Sequence, residues 1–245
     1  MPGELAPPNS AFGEWIEGLD LPELVGDFAD LAEYAPYVRS AVGAYKWFRL
    51  QRFKHFLNSL GKSVEALPDA KKNQFRAIIT SEAGGEILSE FVDSVLRTSS
   101  QTAISALALL YADAGGERYS ASFRLSACIA LEGLSDQEVD AFVALCNPEL
   151  AITAKNPPYP VVIASDGLLP KLPPSVQALL SPPQARVAII NALMRRGMFL
   201  PDFAAGRLGD GGVGVGFGLS ETSYQYRDLL IRARSLLPST SSVAA

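Results

Sequence analysis

The sequence predicts a mainly α chain: an N-terminal helical bundle followed by a small C-terminal α+β module. Three observations carry this. Apolar residues recur at helical spacing through residues 34–147, as they do in helices that bury one face. Nine of the 17 prolines crowd into residues 148–183, where long helices cannot run. Beyond residue 198 a period-two alternation sits beside a run of glycines, the pattern of a hairpin. With 48% hydrophobic residues over 245 positions, the chain can bury one good core and a smaller second one.

Residues 1–33 read as a Pro-rich tail and short acidic amphipathic helices broken at Pro22. Seven acidic residues from Glu14 to Glu33 are interspersed with Trp15, Ile16, Leu19, Leu24, Phe28 and Leu31. The bundle is placed at 34–147. Its first helix has no acidic residue from Tyr34 to Val64 but six basic ones, Arg39, Lys46, Arg49, Arg52, Lys54 and Lys62. Val38, Val42, Tyr45, Phe53, Phe56 and Leu60 form its apolar counterpart, and Gly61 is its expected stop. Helices over Asp69–Ile79 and Glu82–Leu96 follow. Ser100 caps a run from Ala103 to Ala112 that is apolar on almost every face, and such a helix belongs in the middle of a bundle. Ser120 and Ser135 open two more helices, over 120–131 and 135–146, and Glu138 completes a capping box with Ser135.

Residues 148–180 form a Pro-rich connector with one short strand at Val161–Ala164. The C-terminal module occupies 181–238. Ser181 is expected to cap a helix with Pro182 and Pro183 in its first turn, with Val187, Ile190 and Met194 inward and Gly197 at its end. Met198–Ala204 reads as extended and Gly206–Gly212 as a turn. Val213, Val215, Phe217 and Leu219 then alternate with Gly or Ser as the second strand. A last helix runs from near Ser220 to Leu237, with Asp228 and Arg232 spaced for an i,i+4 ion pair. Residues 239–245 read as a disordered Ser/Ala tail.

The stretch Leu193-Met194-Arg195-Arg196-Gly197-Met198-Phe199, the hairpin after it and Leu219-Ser220-Glu221-Thr222 resemble the recognition helix, wing and final helix of winged-helix regulators. The resemblance implies a winged-helix-like module. It puts base contacts on an exposed face near Arg186 and Asn191, and Arg195, Arg196 and Arg207 near phosphates. Ser40-Ala41-Val42-Gly43-Ala44-Tyr45-Lys46 and Phe53-Lys54-His55-Phe56-Leu57 lie in a stretch, Tyr37 to Cys146, similar to uncharacterised bacterial helical proteins with such a C-terminal end. That similarity implies architecture and no activity.

Catalytic chemistry finds little to build on. His55 is the only histidine, so a multi-histidine metal site is excluded, and its neighbours Phe53, Phe56 and Leu57 point to a packed helix residue. Cys128 and Cys146 sit among apolar residues such as Ile129 and Leu145 and read as buried thiols. Gly209-Asp210-Gly211-Gly212-Val213-Gly214 matches the dinucleotide fingerprint in letters only, because a strand, not a helix, follows the glycines. The acidic positions at 14–33 read as a solvated face facing the basic helix. No cofactor, metal or catalytic residue is expected.

The longest apolar run is far short of a membrane span and the N-terminus lacks a leader pattern, so a cytoplasmic protein is expected. The net charge of −5 divides into −8 over residues 1–156 and +3 over 157–245, a weak basic bias for a nucleic-acid binder. The expected function is non-enzymatic: a bacterial interaction or regulatory protein that binds a macromolecular partner, first a protein, through its C-terminal module. DNA binding by that module is one alternative. Attachment to an anionic membrane surface by the basic aromatic helix 37–60 is another, with Tyr37, Lys46, Trp47, Phe48 and Arg49 as its contact residues.

Overall fold

The computed structural model describes residues 36–79, 82–113, 118–147, 159–163, 169–201 and 215–237. The acidic segment 14–33, the glycine turn with Arg207 and the tail 239–245 lie outside them. The protein is mainly helical. Helices α1 (Pro36–Glu65), α2 (Asp69–Ile79), α3 (Glu82–Arg97), α4 (Gln101–Ala112), α5 (Ala121–Leu131) and α6 (Asp136–Leu145) precede a strand, β1 (Tyr159–Ile163). A 3-10 turn (Leu169–Lys171), α7 (Pro174–Leu180), α8 (Pro183–Arg195), β2 (Leu200–Pro201), β3 (Val215–Leu219) and α9 (Glu221–Arg234) complete the order.

The chain divides by packing into residues 1–54 and 55–245. In the first unit, the described helix buries Phe53 and leaves Phe48 54% exposed. The second unit takes in both the bundle and everything after the connector: α9 packs on α4 and α6, and α8 on α6.

Helix α4 runs through the middle of this unit, and ten of its twelve residues are buried. Full burial is worth about 2 kcal/mol for each of Ile104, Leu107 and Leu110, so uniform greasiness fixes the helix at the centre. Ser100 caps it, accepting from the Ala103 N–H. Tyr111, fully buried, gathers Phe56, Phe75 and Phe91 at ring separations of 6.2, 5.7 and 5.4 Å. The capping box expected at α6 is present in both halves, Ser135 Oγ accepting from Glu138 N–H and Glu138 accepting from Ser135 N–H.

Some boundaries move. Gly61 does not stop α1, which continues to Glu65 ahead of Pro68. A mid-helix glycine costs about 1 kcal/mol, and the buried Leu60 and Ser63 on either side offset it. Ser181 does not cap α8 either. It closes α7, donating from Oγ to the Gln177 carbonyl at 2.6 Å, while Pro182 takes the N-cap position without a side-chain bond. The connector holds strand β1 about where a strand was expected, and also the short helix α7.

The sheet has the order β1-β3-β2, antiparallel throughout, with Phe217 of β3 opposite Val161 on one side and Pro201 on the other. Phe217 is fully buried and stacks on Phe199 at 4.2 Å, which meets Phe142 of α6 at 5.1 Å. This aromatic row fastens the sheet to the bundle.

Candidate partner-binding surface

The exposed face of α8 carries Gln184, Ala188 and Arg195, with Asn191 half-buried beside them. Its inward face is Arg186, Ile190 and Leu193, one residue out of step with the expected Val187, Ile190 and Met194. That rotation removes Arg186 from the surface. At 1% exposure it donates from Nε to the Leu180 carbonyl at 2.9 Å and from Nη2 to Ser181 O at 3.2 Å. It satisfies the last carbonyls of α7, orphaned by helix termination, and does not lie on the exposed face where the resemblance put it.

Arg196 is also engaged. Half-buried at the end of α8, it donates from Nη1 to the Glu132 carbonyl in the turn between α5 and α6. Gly133, next in that turn, takes φ +70, a left-handed conformation that glycine adopts at no steric cost. Of the five residues placed on this module, Arg195 is exposed, Asn191 half-buried, Arg186 and Arg196 are held internally, and Arg207 lies outside the described residues.

On α1, Tyr37, Lys46 and Trp47 lie on described backbone, their side chains outside the description. Phe48 is exposed and Arg49 half-buried; onward from Phe48 the exposed face reads Gln51, Lys54, Asn58 and Lys62. Phe53 and Phe56 are 3% and 0% exposed. The aromatics of this stretch are therefore turned inward except Phe48, as on a surface helix whose cations reach water. Among the described residues no helix is long and apolar enough to cross a membrane.

His55 is held by a polar cluster. Its Nε2 lies 3.1 Å from the Gln101 carbonyl and 3.0 Å from Ser105 Oγ, which is 2.9 Å from Ser59 Oγ. A carbonyl only accepts, so Nε2 carries the hydrogen and the ring offers Ser105 no base. Ser105 is moreover fully buried. Burial holds the His55 pKa below its ordinary value, opposed by the bond to Gln101. Both cysteines are buried, and burial pushes the Cys146 thiol up to about 12. Among the described residues no group of three or more His, Cys, Asp or Glu is placed to hold a metal ion.

One cleft escaped the sequence reading. About 560 Å³ in volume, it lies between the start of α5 and α9, lined by Arg118, Tyr119, Ser120, Phe123, Gln225, Asp228 and Arg232. Arg232 does not pair with Asp228 as its spacing suggested; its Nη1 donates to Tyr119 Oη at 2.5 Å. The i, i+3, i+7 spacing of Gln225, Asp228 and Arg232 was a visible signal that they share a face. Nothing in the sequence brought residue 118 to it.

No family model matches this chain, and no curated protein or solved structure matches it either.

Proposed function

We propose that the protein is a non-enzymatic interaction or regulatory protein whose C-terminal part, α7 to α9, is a winged-helix-like element that engages a protein partner. Two helices joined across a short turn, then an antiparallel strand pair bracketing a glycine-rich segment, fit a helix-turn-helix followed by a wing, and the order α7, α8, β2, β3 supports this reading. The observation that carries the choice of partner is the outward face of α8: the exposed Gln184, Ala188 and Arg195 with the half-buried Asn191, one cation among them. A DNA-binding face neutralises several phosphates; a small, nearly neutral face suits contact with protein.

The reading is tested on one face with two ligands. Binding to fluorescent double-stranded DNA at roughly 50 and 200 mM salt is expected to be weak, and a tight, salt-steep affinity abolished by Arg195→Ala would put DNA in the partner's place. A protein that co-purifies with the chain is expected to bind it directly in pure form. Ala188→Arg, at an exposed position, is expected to leave the melting curve unchanged and to abolish that binding. Binding undiminished by Ala188→Arg would remove α8 from the interface.

A further inference from the structure

The cleft between α5 and α9 is shaped by a tightly held backbone segment above buried aromatic rings. The Asp113 carboxylate accepts the N–H groups of Arg118 and Tyr119 at 3.2 and 2.8 Å. Arg124 donates from Nη1 to the carbonyls of Tyr119 and Asp113 at 2.7 and 3.2 Å. One carboxylate and one guanidinium thus fix the backbone of the segment that brings Arg118, Tyr119 and Ser120 to the cleft. Beneath it, Phe123 stacks against Tyr119 at 5.3 Å and meets Tyr226, tilted, at 5.2 Å, and the Arg232 guanidinium lies 5.9 Å from the Tyr119 ring centre. Both faces of Tyr119 meet neighbours, so the cleft has no bare ring for a flat ligand. What it presents is two guanidiniums, from Arg118 and Arg232, with the exposed Asp228, Gln225 and Ser120 around them.

We propose that this cleft binds a small phosphate monoester, Arg118 and Arg232 taking the phosphate and Asp228 taking an amine or hydroxyl donor elsewhere on the ligand. Each guanidinium is a fork of five donors matched to an oxyanion, and Arg232 spends only one of its donors on Tyr119. A monoester carries nearly two negative charges at pH 7, balancing the two cations. Asp228 would repel a bare anion and so selects one that also carries a donor. The volume lies within the range of small-molecule sites, roughly 300–1,000 Å³.

Calorimetric titration of the full chain with O-phosphoserine, inorganic phosphate and unphosphorylated serine tests this. O-phosphoserine is expected to bind saturably with a Kd on the order of 1 mM or tighter, and more tightly than inorganic phosphate; serine is expected not to bind. Arg118→Gln alters an exposed side chain and leaves the fold intact, and it is expected to weaken binding about tenfold. Asp228→Asn is expected to erase the preference over inorganic phosphate. Because the second phosphate ionisation lies near pH 6, affinity should drop between pH 7 and pH 5. The proposal is overturned by no saturable binding, by equal binding of serine, or by unchanged affinity in Arg118→Gln.

Discussion

The Arg196 side chain, at the end of α8, donates to the backbone carbonyl of Glu132 in the turn between α5 and α6. The Glu132 carboxylate is itself 3.0 Å from Arg97 Nη1, and the following N–H, that of Gly133, donates to Thr98 Oγ1 at 3.1 Å. The turn between two bundle helices is therefore held from the end of α3 and from α8 together. A charged donor on a buried or half-buried carbonyl is worth about 1.5–3 kcal/mol, and an exposed side chain without such a partner close to nothing.

Arg195 and Arg196, adjacent and alike in sequence, should consequently separate in stability. Arg196→Ala is expected to lower unfolding free energy by about 1–2 kcal/mol, and Arg195→Ala by less than about 0.5 kcal/mol. Urea denaturation with a common slope measures both. Equal stability of the two variants would show that the Arg196 bond contributes nothing in solution. A binding experiment that replaces both arginines together would confuse lost contact with lost fold, which is why Arg195 alone belongs in the DNA test.

Arg186 makes the sharper case. Truncation to methionine keeps the buried stem and abandons the carbonyls of Leu180 and Ser181, at the end of α7. Ser181 is exposed and its carbonyl can be hydrated; Leu180 is fully buried and its carbonyl loses the bond Nε supplies. A loss of about 2 kcal/mol is expected, read as a lower urea midpoint at unchanged slope. Wild-type stability would mean that Arg186 is free to serve at the surface after all.

What the sequence made legible here was local. Serine caps at 100, 120 and 135, the helix of residues 69–79, the start of the last helix near Ser220 and the greasy α4 all follow from interactions within a few residues, and each appears. Orientation about a helix axis was less legible. Arg186 and Val187 differ by one step of 100°, and the choice between them is made by what α7 needs capped, information carried some six residues upstream. The same holds for Arg232: its spacing from Asp228 is local, but its actual partner Tyr119 is 113 residues away. The cleft was missed because its two walls come from α5 and α9, which only the tertiary packing brings together.

The thiols give a test of burial that needs no mutation. Cys146 is fully buried with its pKa raised to about 12, and Cys128 is 9% exposed. Only a thiolate attacks a disulfide reagent, so at pH 8 reaction of Cys146 waits on opening of the fold. The native protein is expected to modify Cys146 about a hundredfold more slowly than the protein in denaturant, where both cysteines react together. Mass mapping that finds native Cys146 modified at the denatured rate would place α6 and α9 apart in solution.

His55 supplies a pH dependence whose sign is fixed by its surroundings. Burial depresses its pKa in the folded chain, while in the unfolded chain it titrates near the ordinary 6.5. Below that value the unfolded state binds a proton that the folded state resists, so the unfolded state gains and stability falls. The contribution of neutral His55 is complete above about pH 6.5 and is lost as the pH drops through the lowered folded pKa. The residue is isolated by comparison with His55→Gln, whose amide can still donate toward the Gln101 carbonyl and Ser105. Between pH 7 and pH 5 the wild-type urea midpoint is expected to fall further than that of the variant, with the two curves parallel above pH 7. Parallel curves across the whole range would mean that His55 is solvated in the folded protein, and that the polar cluster with Ser59 and Ser105 opens to water.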